Sequence, residues 1–130
     1  MSPTADKDAL GRRGERLAVR HLKKCGYTIL RRNFRSPLGE IDVIAQEGHK
    51  VCFIEVKSRR EHDLGRGKEA VGPGKQAKIV RAALGYLMKH NLVVQDCRFD
   101  VVDVSFDKSG RDPQVELIRD AFSATSFYNY

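Results

Sequence analysis

The sequence predicts an α/β fold: a central mixed β-sheet flanked by helices, with elements in the order helix, three strands, helix, strand, strand. Three observations carry that expectation. Two segments place apolar residues at helical spacing, and five short segments are apolar or alternating and bounded by Gly, Pro or Asn turns. The second helix stands between strands, where a helical connection implies at least one parallel pairing. With 130 residues the chain has room for one core, so 1–130 reads as a single domain.

The first helix runs from Thr4, a candidate cap, to Cys25. Leu10, Gly14, Leu17, Ala18, His21, Leu22 and Cys25 form its apolar or small stripe, and Gly26 stops it. "YTILRRNF" (27–34) reads as a strand, and Ser36 to Gly39 as a turn. Two strands follow at about Glu40 to Gln46 and Lys50 to Arg59, joined by Gly48 and His49 in a two-residue type II′ turn. "RREHDLGRGKEAVGPGK" has Gly, Pro and charge without a period, which marks an exposed loop near 59–74 that is expected to be mobile. Lys75 to Asn91 is the second helix. Its Ile79, Val80, Ala83, Leu84, Tyr86 and Leu87 face the core, while Lys75, Lys78, Arg81 and Lys89 face away. "CRFDVVDVSF" (97–106) and "QVELIRDAF" (114–122) are the last strands, and a polar and aromatic tail occupies 121–130.

Composition limits the function classes. No apolar run is long enough to cross a bilayer, and the first residues lack the apolar stretch and cleavage site of a secretory signal, so a cytoplasmic location with no membrane partner is expected. Three cysteines without CxxC spacing argue against a disulfide framework or a zinc site. A formal net charge of +7 favours a polyanionic partner such as nucleic acid.

The chemistry is concentrated in "GEIDVIAQEGHKVCFIEVKSR" (39–59). Charged groups inside half-buried strands cost free energy unless they are paired, solvated or bound to an ion. With the type II′ turn, Asp42 faces Glu55, Glu40 faces Lys57, and alternation sends all four to one face of the sheet. Opposed carboxylates repel without a cation, whereas a divalent ion with waters in its remaining positions turns the repulsion into coordination. That pattern suits Mg²⁺ or Mn²⁺ and hydrolysis of a phosphodiester, with Lys57 stabilising charge on the phosphoryl oxygens. The competing reading of these residues is an exposed sheet face with cross-strand ion pairs, Glu40 with Lys57 among them.

"GEIDVIA" followed by "FIEVKSR" resembles the PD-(D/E)xK nuclease signature, with Ile41 in place of the proline. Together with "GERLAVRHLKKCGYTILRRNFR", "KQAKIVRAALGYL", "RFDVVDV" and "DAF", it makes most of the chain similar to the YraN-like family of predicted endonucleases. A weaker similarity reaches the archaeal Holliday junction resolvases. The resemblance implies a restriction-endonuclease-like fold, with Asp42, Glu55 and the Val56 backbone carbonyl as metal ligands, Lys57 as the catalytic lysine and Glu15 as an acidic member contributed by the first helix. From the residues alone, Glu15 reads equally well as a solvent-facing glutamate beside Arg12.

Arg59, Arg60, Lys75, Gln76 and Lys78 are candidate nucleic-acid contacts, against the alternative that the lysines form only a solvated helix face. His21, His49, His62 and His90 show no ligand spacing, and Asp100 and Asp103 read as core framing. The expected activity is a metal-dependent endonuclease acting on DNA, with branched or processed DNA among its candidate substrates. The alternatives are a binding module without catalysis and a scaffold of a DNA-processing complex. A homodimer is compatible with a resolvase-type activity, which needs two active sites.

Overall fold

The computed structural model describes residues 3–60 and 71–124. Helix α1 (Pro3–Lys24) precedes β1 (Thr28–Ser36), β2 (Gly39–Glu47) and β3 (Lys50–Arg60). Then come α2 (Pro73–Lys89), a 3-10 turn (Val94–Asp96), β4 (Cys97–Phe106) and β5 (Gln114–Phe122). The strands lie in sequence order β1-β2-β3-β4-β5, antiparallel except for β3 and β4, which run parallel across the α2 crossover. The α/β class, the element order and the mixed sheet are therefore as the sequence predicts.

Each helix covers one face. Ile79, Val80, Ala83, Tyr86 and Leu87 of α2 bury against Phe34, Ile44, Phe53, Phe99 and Val101 of the sheet, with Tyr86 edge-on to both Phe34 and Phe53. On the opposite face Ala18, Val19 and Leu22 of α1 bury against Val43, Cys52, Ile54, Val102 and Val104. Alternation along β3 and β4 divides their side chains between these two cores, as a sheet covered on both faces requires.

The β2–β3 hairpin has the expected register and turn. Val43 pairs with Ile54 and Glu47 with Lys50, and Gly48 takes φ +62° while His49 stays at negative φ, which separates type II′ from type I′. Other boundaries move. Helix α1 starts at Pro3, so Thr4 lies inside it and not at the residue before it. Helix α2 starts at Pro73, where proline at the first helical positions loses no intrahelical hydrogen bond, and Gly72 is its cap. The expected 59–74 loop is thus shortened at both ends, by β3 through Arg60 and by α2 from Pro73; residues 61–70, including His62, lie outside the described residues, as does the tail from 125. Among the described residues no helix is long and apolar enough to cross a membrane.

Asp100 is fully buried, and its burial is compensated. The Tyr27 hydroxyl donates to it at 2.8 Å, Arg98 from Nε at 2.9 Å, and the Asp120 amide at 2.9 Å. Asp120 has φ +54°, and the β4–β5 register shifts between Phe99 and Val101, so that its amide turns toward the carboxylate. Core framing is the role the geometry gives Asp100.

Candidate active site at the divergence of β2 and β3

Pairing between β2 and β3 stops at Val43 and Ile54, one step before Asp42 and Glu55. The Asp42 carboxylate closes the gap by accepting a 2.8 Å hydrogen bond from the Val56 amide, replacing a bond that the ladder no longer supplies. Alternation also breaks here. Ile41 and Ile44 both sit in the core under α2, while Val43 sits under α1, so Asp42 does not continue the regular pleat. Across β1 the cause is visible. Asn33, between the pairs Arg32–Val43 and Phe34–Ile41, adopts φ +53°, and both strands change face at this step. Asn is among the few residues other than Gly that visit this region readily.

The expectation that Glu40, Asp42, Glu55 and Lys57 face one another in a continued ladder is therefore corrected. Glu40 is exposed and lies 3.7 Å from Arg35, its neighbour across β1, rather than opposite Lys57. Asp42 and Glu55 nonetheless converge. Their carboxyls interact directly, and burial, followed by the Asp42 charge, holds Glu55 above the usual carboxylate range despite the opposing pull of Lys75. Glu55 is only 5% exposed, and the Lys75 ammonium, reaching back from the first turn of α2, is its ion-pair partner.

Glu15, Asp42 and Lys57 line one cleft of about 270 Å³ with Leu10, Gly11, Val56 and Ser58. Helix α1 can carry Glu15 this close because Gly14 packs on Ser58 of β3, where a Cβ would lie 2.9 Å from the Ser58 Cβ. The Glu15 side chain is 16% exposed, and its Oε1 is buried without a hydrogen-bond partner, with Arg32 4.0 Å away. Burial and the Asp42 charge raise its pKa, opposed by Arg32 and an Asn33 hydrogen bond. The structure thus places Glu15 in this cleft and not on the solvent face.

The candidate nucleic-acid contacts are placed differently. Arg59 holds Asp103 through two hydrogen bonds of 3.2 and 3.1 Å, and Asp103 pairs in register with Lys57. Gln76 donates at 2.6 Å to the Val71 carbonyl and so fastens the start of α2. Arg60 is partly buried at the end of β3. Lys78 is exposed, and Lys75 is shared between solvent and Glu55.

A family model described as "Uncharacterised protein family UPF0102" matches residues 14–104, the span from Gly14 to the β4 strand that holds this whole arrangement. The chain belongs to the UPF0102 family. A UPF0102 protein of Desulfosudis oleivorans is 50% identical over 114 residues, covering 88% of this chain and 89% of its own. One from Syntrophus aciditrophicus is 46% identical over 112 residues, covering 86% and 87%. Another, from Clostridium kluyveri, is 42% identical over 113 residues, covering 87% and 93%. These matches bear out the YraN-like family resemblance.

Within this UPF0102 chain the donor set suits a magnesium-type ion, which takes one or two carboxylates and keeps several waters. Among the described residues no group of three or more His, Cys, Asp or Glu side chains is gathered to hold a metal, so Asp42 and Glu55 would act as a pair. The half-buried Asp42 converging on the buried Glu55, beside the Glu15 oxygen that lacks a hydrogen-bond partner, is the chemistry a cation would satisfy. Sequence reasoning did not find Asn33, the Gly14–Ser58 contact or the Arg59–Asp103 pair. "RRNF" carried one signal, an asparagine interrupting an otherwise extended segment.

Proposed function

We propose that this UPF0102 protein is a divalent-metal-dependent endonuclease that hydrolyses phosphodiester bonds in DNA. The single observation that carries the reading is the convergence of Asp42 and the buried Glu55 where β2 and β3 part, with Lys57 lining the cleft beside them. Asp42 and Glu55, with the Val56 carbonyl, would hold Mg²⁺ or Mn²⁺. Such an ion lowers the pKa of a bound water and neutralises charge on a phosphoryl group.

The chain's own residues supply the rest. Lys57 lines the cleft, where its ammonium would donate to phosphoryl oxygens as negative charge builds in the transition state. Glu15, held across the cleft by α1, adds a second carboxylate able to orient a water. Gly14, Asn33 and the Asp42–Val56 hydrogen bond fix these groups on regular elements, which is the rigidity that positioning requires. Lys78 and the exposed part of Lys75 are set to meet the DNA backbone.

The test is incubation of the protein with labelled linear, single-stranded, flap and four-way DNA in Mg²⁺, Mn²⁺ or EDTA. Cleavage of at least one form with metal and none in EDTA is expected. Binding of these DNAs without cleavage in either metal would replace the enzyme by a binding module.

A further inference from the structure

Helix α1 carries a row of cations that the site does not use. Arg12, Arg16, Arg20 and Lys24 stand at four-residue spacing, and all four are exposed. None has an ion-pair partner among the described residues, and the one acid between Arg12 and Lys24, Glu15, turns instead into the cleft toward Asp42, Arg32 and Asn33. Like charges four apart on a helix repel, so three successive pairs of this kind disfavour the helix they stand on. A repulsion maintained along several turns is relieved when a polyanion lies across it.

We propose that this row is a nucleic-acid backbone track, with successive phosphates of one strand taken by Arg12, Arg16, Arg20 and Lys24. Four residues of α-helix rise about 6 Å, so the row spans about 18 Å along the helix axis. Its first member flanks Gly11 at the mouth of the cleft that contains Glu15, Asp42 and Lys57. Arg32, exposed on the edge strand beside α1 and 4.0 Å from Glu15, continues the positive surface at the same end. The track therefore leads a strand away from the point of proposed cleavage, on the face of the sheet opposite the α2 lysines.

An anionic membrane fits less well. Helices that lie on a bilayer insert an apolar side, and the apolar side of α1, including Ala18, Val19 and Leu22, is buried against the sheet. The choice of a phosphodiester strand rests on the nuclease reading, but the track can be tested without cleavage.

The experiment is fluorescence anisotropy of labelled single-stranded and duplex DNA in EDTA over a range of salt, with wild type and the variant Arg16→Gln, Arg20→Gln, Lys24→Gln. Gln preserves helix propensity, and the melting temperature should hold or rise as the repulsion is removed. Losing three phosphate contacts should lower the slope of log affinity against log salt by about two units on single strands and nearly three on duplex, and affinity at moderate salt by tenfold or more. Lys108→Gln with Arg111→Gln, in the exposed β4–β5 turn, controls for two of the three charges removed and should change little. The track is overturned if the triple variant keeps the wild-type slope, or if the turn variant loses as much. It is equally overturned if wild type ignores DNA and binds phosphatidylserine vesicles. Binding in EDTA needs neither metal nor cleavage, whereas the nuclease reading fails only when no DNA is cut with Mg²⁺ or Mn²⁺, so failure of the track and failure of that reading remain separate results.

Discussion

Asn33 on β1 and Asp42 on β2 lie opposite each other, and at that one step both strands transfer their side chains from one core to the other. The left-handed backbone of Asn33, at φ +53°, is the local condition that lets Asp42 leave the pleat and reach the Val56 amide. Asn33→Gly should keep fold and site, since glycine adopts this conformation freely. Asn33→Val should cost about 1–3 kcal/mol, because a β-branched residue is strained there. Urea denaturation of both variants checks this, and equal loss from the two would remove the backbone explanation.

Packing between α1 and β3 gives a second prediction. A Cβ on Gly14 would lie 2.9 Å from the Ser58 Cβ and overlap its hydroxyl, so Gly14→Ala should destabilise by about 1–3 kcal/mol through overpacking. Adding Ser58→Gly should recover part of that loss, a coupling that a double-mutant cycle on denaturation midpoints would measure. Strict additivity would mean that the two residues do not touch in the way described.

Acid stability should depend on the far end of the hairpin. Arg119 binds Glu47 at 3.0 and 2.7 Å, and Arg98 binds it at 2.6 Å. These bonds, Arg119 first, hold the Glu47 pKa down to about 2 from an ordinary 4.5. A depressed carboxyl pKa contributes stability that is complete above the unfolded value and is lost as pH falls through the folded one. Glu47→Gln should therefore be less stable than wild type by about 1 kcal/mol at neutral pH, since the group is partly solvated. The gap should narrow between pH 4.5 and 2. Denaturation at pH 7, 4 and 2 would show it, and a gap constant with pH would exclude the ion pairs as its source.

Metal binding has its own signature. If Asp42 and Glu55 hold an ion, Mn²⁺ should raise the melting temperature of wild type by mass action, and Asp42→Ala should abolish the rise. A melting temperature indifferent to both Mn²⁺ and Mg²⁺, with a flat calorimetric titration, would count against the site.

Much of this was legible in the sequence because it depends on short-range rules. The helical stripes fixed which side of α2 is buried, and the Gly48 turn set a register that placed Asp42 near Glu55. What could not be read depends on distant or irregular contacts. The parallel register that brings Asp103 beside Lys57 crosses forty-odd residues of chain, and no local pattern encodes it. The break in alternation at Asp42 comes from a single backbone conformation on a neighbouring strand, so strict alternation put Glu40 opposite Lys57 where the structure gives it to Arg35. Lys75 was visible as a cation on the solvent side of α2, but its ion pair with Glu55 follows from where the crossover sets the helix start.

The most direct test of the central claim is single-turnover cleavage beside equilibrium DNA binding for wild type, Asp42→Asn and Lys57→Met. Met keeps much of the lysine stem and removes its charge. Wild type should cut with Mg²⁺ or Mn²⁺, while both variants bind DNA nearly as well and Lys57→Met cuts roughly 10²-fold or more slowly, the scale of a lost transition-state donor. Equal cleavage by all three proteins would place the activity outside the Asp42, Glu55 and Lys57 cluster and contradict the account.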